Sequence, residues 1–109
     1  MTLSPVRKLA GRFLPKPGEG PSPEEQRSGH FEMFFHGLST DGSKTVRTRV
    51  SGDRDPGYGA TSRMLGESAV CLARDELSCK GGLWTPASSM GKHLIQRLKE
   101  NAGIQFQLL

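Results

Sequence analysis

The group most suggestive of chemistry is Gly57-x-Gly59-x-x-Ser62, with Asp75 and Glu76 following it. Two glycines so spaced, between a strand and a helix, match the turn that lets a dinucleotide pyrophosphate reach the amides of a helix N-terminus, with an acid for the ribose about twenty residues on. Ser62 stands where that pattern needs a third glycine, and Asp75 and Glu76 fall in a loop before Gly81-Gly82 rather than at the tip of a parallel strand. The spacing therefore predicts a tight turn that starts a helix. Cys71 and Cys79, the only two cysteines, lack the second pair that a zinc site or a disulfide scaffold needs, and Cys71 reads as a small core residue. His30, His36 and His93 are scattered without metal spacing, and no Gly-x-Ser-x-Gly nucleophile turn occurs. The residues predict no catalytic set, no metal site and no cofactor site in this chain. Tyr58 and Thr85 are left as substrate-binding candidates, because each stands at or near a helix start, where free amides and the dipole favour an anion or a carbonyl. The plainer reading is that Tyr58 packs under a hairpin and Thr85 only caps.

The elements that would position them follow from periodicity. Residues 52–74 read as a strand end, a glycine turn and a helix. Asp55 is the predicted cap and Pro56 the first helical residue. Thr61, Leu65, Ala69 and Leu72 recur at helical spacing and predict the buried stripe. Gly59, Ala60, Gly66, Ser68, Ala69 and Ala73 make this helix small-sided. A glycine at 66 costs about 1 kcal/mol relative to alanine, so a sheet, a partner domain or a ligand is expected close to it.

Before this helix, His30 to His36 alternates as a strand with Phe31, Met33 and Phe35 on the buried side. Asp41-Gly42 is a turn dipeptide, and Val46, Thr48 and Val50 alternate against Thr45, Arg47 and Arg49 in a returning strand, which makes a hairpin. After it, Thr85-Pro86 opens a second helix whose stripe is Ala87, Met90, Leu94, Leu98 and Ala102. Gly103 ends that helix, and Ile104, Phe106 and Leu108 alternate with Gln105 and Gln107 as a last strand. The predicted fold is α+β: a β-β-α-α-β layer of about three strands with two helices on one face.

The 109 residues and 34% apolar content allow one small domain, and no stretch approaches a membrane span. The net charge of +4 resides in Arg7, Lys8, Arg12 and Lys16, so the body is neutral and a nucleic-acid partner is not expected. Residues 1–18 read as a solvated arm or, folded as a short basic amphipathic helix, as a peripheral contact with an anionic membrane. Their acid-free, Arg-containing composition also imitates a transit peptide. Pro15 to Pro23 breaks regular structure. Residues 1–29 are thus a basic leader and a Pro/Gly-rich linker, with Ser22-Pro23-Glu24-Glu25 expected as a capped turn, and 30–109 is the folded domain.

Three quoted stretches carry a resemblance. Asp55-Pro-Gly-Tyr-Gly-Ala-Thr-Ser-Arg-Met-Leu-Gly-Glu-Ser-Ala, Gly81-Gly-Leu-Trp-Thr-Pro-Ala, and Leu94-Ile-Gln-Arg-Leu running to Gly103-Ile-Gln-Phe resemble the C-terminal part of saccharopine dehydrogenase-like oxidoreductases. That group includes the trans-acting enoyl reductases of mycobacterial lipid synthesis. Gly18-Glu-Gly-Pro-Ser-Pro-Glu-Glu-Gln and the aromatic strand at 31–35 fit the same pattern, so the resemblance covers about residues 14–109. It implies a reductase whose N-terminal Rossmann domain binds NAD(P) and whose C-terminal portion completes the substrate side and the interdomain interface.

On that resemblance the chain is a cytoplasmic substrate-side domain, inactive without the missing Rossmann domain, because nothing in it is expected to hold a nicotinamide. Its expected partner is that domain or another copy of itself, since so small a unit leaves apolar surface uncovered. The alternative is a stand-alone protein- or membrane-interaction module that keeps the fold.

Overall fold

A computed structural model describes residues 18–109. The leader, apart from Gly18, lies outside the described residues. The elements run α1 (Pro23–Ser28), β1 (Phe31–Leu38), β2 (Thr45–Gly52), α2 (Gly59–Arg74), α3 (Pro86–Asn101) and β3 (Ile104–Leu108). Both strand pairings are antiparallel and the sheet order is β1-β2-β3. This is the expected α+β layer, with α1 added in front.

Local chemistry explains each start. Ser22 caps α1 through a capping box: Glu25 N donates to Ser22 Oγ at 3.3 Å and Ser22 N to Glu25 Oε2 at 2.8 Å. In the hairpin loop, Asp41 accepts from the amide and hydroxyl of Ser43 at 3.1 and 2.8 Å, and Gly42 takes the positive φ of 71° that the tight reversal requires. The hydroxyls of Ser39 and Ser43 hold the Asp41 carboxyl down at about 2. Thr85 caps α3 with Pro86 in its first turn, as the sequence predicts, and Ser88 completes a capping box with it. Gly103, at φ 71°, ends α3 where expected.

The start of α2 differs from expectation. Asp55 does accept the amides of Tyr58 and Gly59, at 2.6 and 3.2 Å, but the helix begins only at Gly59. Residues 55–58 form a turn, because the Asp55 carboxylate folds over the amides instead of standing as the cap itself.

The core explains two further departures. Ala60, Leu98, Ala102 and Ile104 form the buried cluster, with Phe31, Val50, Met64, Leu94 and Phe106 against it. Both long helices thus pack on one face of the sheet, the face of Phe31, Met33 and Phe35. They run antiparallel: Ala60 at the start of α2 meets Leu98 and Ala102 at the end of α3. The inward side of α2 is Ala60, Met64 and Cys71, not the predicted stripe. Thr61 and Ala69 are exposed, and Leu65 and Leu72 are 70% and 60% exposed. Of the small residues, Gly59 and Ala60 are buried at the start of the helix, whereas Gly66, Ala69 and Ala73 are exposed. A β-carbon on Gly66 would meet nothing within 4 Å, so no close packing occurs there within the described residues.

On β1 only Phe31 reaches the core; Met33 and Phe35 are 51% and 49% exposed. The helices cover the end of the sheet where Phe31, Gly52 and Ile104 stand side by side, and the strands run on past them. A β-carbon on Gly52 would sit 2.2 Å from the Phe31 ring, so glycine is needed to seat that ring. Ala87 is exposed, although Met90, Leu94, Leu98 and Ala102 face inward as predicted. Gly91, at φ 45° and ψ −120°, breaks the helical path of α3 after its first turn and a half.

Candidate functional site

The turn that starts α2 is built by the chain for itself. Ala60 N donates to Asp55 O at 2.7 Å, and Asp55 N to Gln26 O of α1 at 3.1 Å. A β-carbon on Gly59 would sit 2.8 Å from Gln26 O, so this glycine allows α1 to dock. Tyr58 is 58% exposed, and its ring lies against Gly20 of the linker, where a β-carbon would come within 3.2 Å of it, and not under the hairpin.

These contacts test the dinucleotide spacing. The Tyr58 and Gly59 amides are already taken by a carboxylate, and their hydrogen bonds hold the Asp55 pKa below its usual value. A pyrophosphate there would meet that negative charge, and the room a glycine should leave is filled by α1. Asp75 is likewise engaged elsewhere. The residues present do not fit a dinucleotide phosphate.

At the other end of the helix pair lies a groove of about 520 Å³. Its apolar walls are Leu72 and Leu77 from α2 and the loop after it, Trp84, and Met90 of α3, with Cys79 and Lys80 beside them. Trp84 Nε1 donates to Lys80 O at 2.9 Å and fixes the loop over Gly81-Gly82. Thr85 stands next to this groove, one residue from the lining Pro86, and its hydroxyl accepts from Ser88 N at 3.3 Å. Tyr58 and Thr85 therefore sit at opposite ends of the antiparallel pair, as two separate helix starts.

Beneath the groove a polar cluster joins the helices. Arg97 donates to Asp75 through Nε and Nη2 at 2.7 and 2.6 Å, and to Glu67 through Nη1 at 3.4 Å. Asn101 Nδ2 adds a bond to Glu67 at 3.2 Å. The guanidinium fork holds the Asp75 carboxyl down at about 2. Cys71 is fully buried next to it, and burial first, then the Asp75 carboxylate, push its thiol up. A thiol kept protonated is no nucleophile. Helical spacing puts Arg97 on the outer face of α3 with Lys92, Gln96, Lys99 and Glu100; the structure instead holds it largely screened between the helices, because its partners lie 22 and 30 residues away and no local pattern signals them.

Among the described residues no cluster of three or more His, Cys, Asp or Glu is placed to hold a metal. No described helix is long and apolar enough to cross a membrane.

Comparison with known proteins supplies what the geometry leaves open. A Mycobacterium tuberculosis protein provisionally named a trans-acting enoyl reductase is 42% identical over 103 residues. The chain is homologous to part of the trans-acting enoyl reductases. A trans-acting enoyl reductase of Mycobacterium ulcerans is 38% identical over 88% of the chain, and one of Mycobacterium bovis 37% over 84%. The match to the M. tuberculosis enoyl reductase covers 93% of this chain but 24% of the relative, so the chain spans about a quarter of the length of the curated relatives it matches. No family profile and no solved structure matches the chain.

Proposed function

We propose that this chain supplies the C-terminal, substrate-side part of an NAD(P)-dependent trans-acting enoyl reductase of saccharopine dehydrogenase-like architecture. The observation that carries the reading is the uneven coverage: 42% identity runs through 93% of the chain and only 24% of the relative. The dinucleotide domain is assigned to the remaining three quarters, because the one turn here with suitable glycine spacing is closed by Asp55 and α1. The groove of Leu72, Leu77, Trp84 and Met90 is the part of this chain suited to an apolar acyl segment. The chain alone is inactive, and its partner is the rest of the reductase.

A chimera tests this. Residues 18–109 replace the matching stretch of the M. tuberculosis relative, and oxidation of NADH or NADPH is followed with an enoyl thioester. The chimera should turn over and the isolated chain should not. A folded chimera without activity, where the parent relative is active, sinks the proposal, as does turnover by the isolated chain.

A further inference from the structure

The inner face of the sheet is buried at one end and about half-exposed or more beyond it. Ile104 is 1% exposed and stands level with Phe31 and Gly52; one step on, Met33 is 51% exposed beside Val50 and Phe106; at the next, Phe35 is 49% and Leu108 78% exposed across Thr48. Val46, beyond the end of β3, is 52% exposed. The alternation that makes a core at one end continues unchanged where no helix covers it. The outer face differs: Glu32 pairs with Arg49, and Arg47, Gln105 and Gln107 share that side with Phe34. Among the described residues β1 is also an edge strand, paired on one side only.

We infer that Met33, Phe35, Val46 and Leu108, with the free edge of β1, form the surface on which the rest of the reductase polypeptide packs. This rests on the proposed function. The occupant is argued from chain length: in the matched relative this quarter is covalently joined to three times its own length of polypeptide, a partner at very high effective concentration. An apolar face continuous with a core, next to an unpaired strand edge, suits a partner that supplies apolar side chains and a strand together. The helix pair has no such continuity, since its exposed Leu65 and Leu72 lie away from the sheet core.

The test measures amide exchange at residues 33–38 and 45–48 in the isolated chain and in the chimera. Exchange there should slow by about tenfold or more in the chimera. Phe35→Glu and Leu108→Glu should abolish that slowing while leaving the thermal midpoint of the isolated chain nearly unchanged, and Leu65→Glu should not affect it. Equal exchange in chimera and isolated chain overturns the inference even if the chimera is active. Slowed exchange in an inactive chimera supports the surface and sinks the function. If the isolated chain dimerises in sedimentation and shows the same slowing, the face belongs to a second copy, and the inference falls.

Discussion

Arg97, in the C-terminal half of α3, holds both carboxylate oxygens of Asp75, just past the end of α2, at 2.7 and 2.6 Å. The pair is largely screened from water, with side-chain exposures of 23% and 17%. It links two helices whose apolar contact is made by Ala60 and Met64 with Leu94, Leu98 and Ala102. A lysine at 97 keeps the charge and loses the fork. Arg97→Lys should lower the Tm of the chain by about 4–8 °C; an unchanged melting curve would show that the fork adds nothing beyond charge.

The same pair sets an acid response. The folded-state pKa of Asp75 is depressed to about 2, below the unfolded value of about 3.9. The ionised pair therefore contributes fully above the unfolded pKa, and the contribution disappears as pH falls from about 4 to 2. Urea midpoints of the native chain and Asp75→Asn should differ at pH 7 and converge by pH 2. A constant gap would refute the assignment.

Two glycines should respond in opposite directions. Gly52→Ala drives a β-carbon into the Phe31 ring and should cost about 1–3 kcal/mol, partly recovered by Phe31→Leu. Gly66→Ala meets nothing within 4 Å and should stabilise the isolated chain by about 1 kcal/mol through helix propensity. Denaturant titration of the three variants decides; a destabilising Gly66→Ala would place an unseen neighbour against α2.

Among the described residues Ile104 is the largest fully buried side chain, and the core around it is small. Ile104→Ala should cost about 2–5 kcal/mol, a large share of the total stability of so short a domain. Loss of cooperative unfolding by circular dichroism at 37 °C is the expected result; a midpoint near that of the native chain would mean the cluster is not the core.

Labelling should separate the cysteines. Cys79 is partly exposed at the groove and Cys71 is buried with its thiol pushed up. Iodoacetamide should modify Cys79 first and Cys71 only on unfolding, read by mass spectrometry. Equal rates would contradict the placement of Cys71.

The legible parts of the fold were those set by neighbouring residues. Asp41-Gly42, Thr85-Pro86 and Gly103 each act within one turn, and all three appear as read. The side of α2 that turns inward was not legible, because Thr61, Leu65 and Leu72 satisfy helical spacing as well as Ala60, Met64 and Cys71 do. Only the approach of α3 and the sheet chooses between them, and it buries Ala60, Met64 and Cys71. Alternation likewise told which residues of β1 share a face, but not how far the helices reach along it. Of the site candidates, Thr85 caps α3 beside the groove, while the groove itself depends on Leu72, Trp84 and Met90, which converge only once the helices fold back on each other.

Gly91 divides α3 into a stub, Pro86 to Met90, and a longer rod that carries Leu94, Arg97 and Leu98 to the core. Nothing lies within 4 Å of its missing β-carbon, so crowding does not demand a glycine; the positive φ of 45° does. Buried Leu98 anchors the rod and buried Met90 the stub, and the Gly91 torsions set the angle between them. A residue with a β-carbon at 91 is strained at that φ, and relieving the strain would set the angle of the stub against the burial of Met90. The groove is aimed by a residue that forms none of its walls.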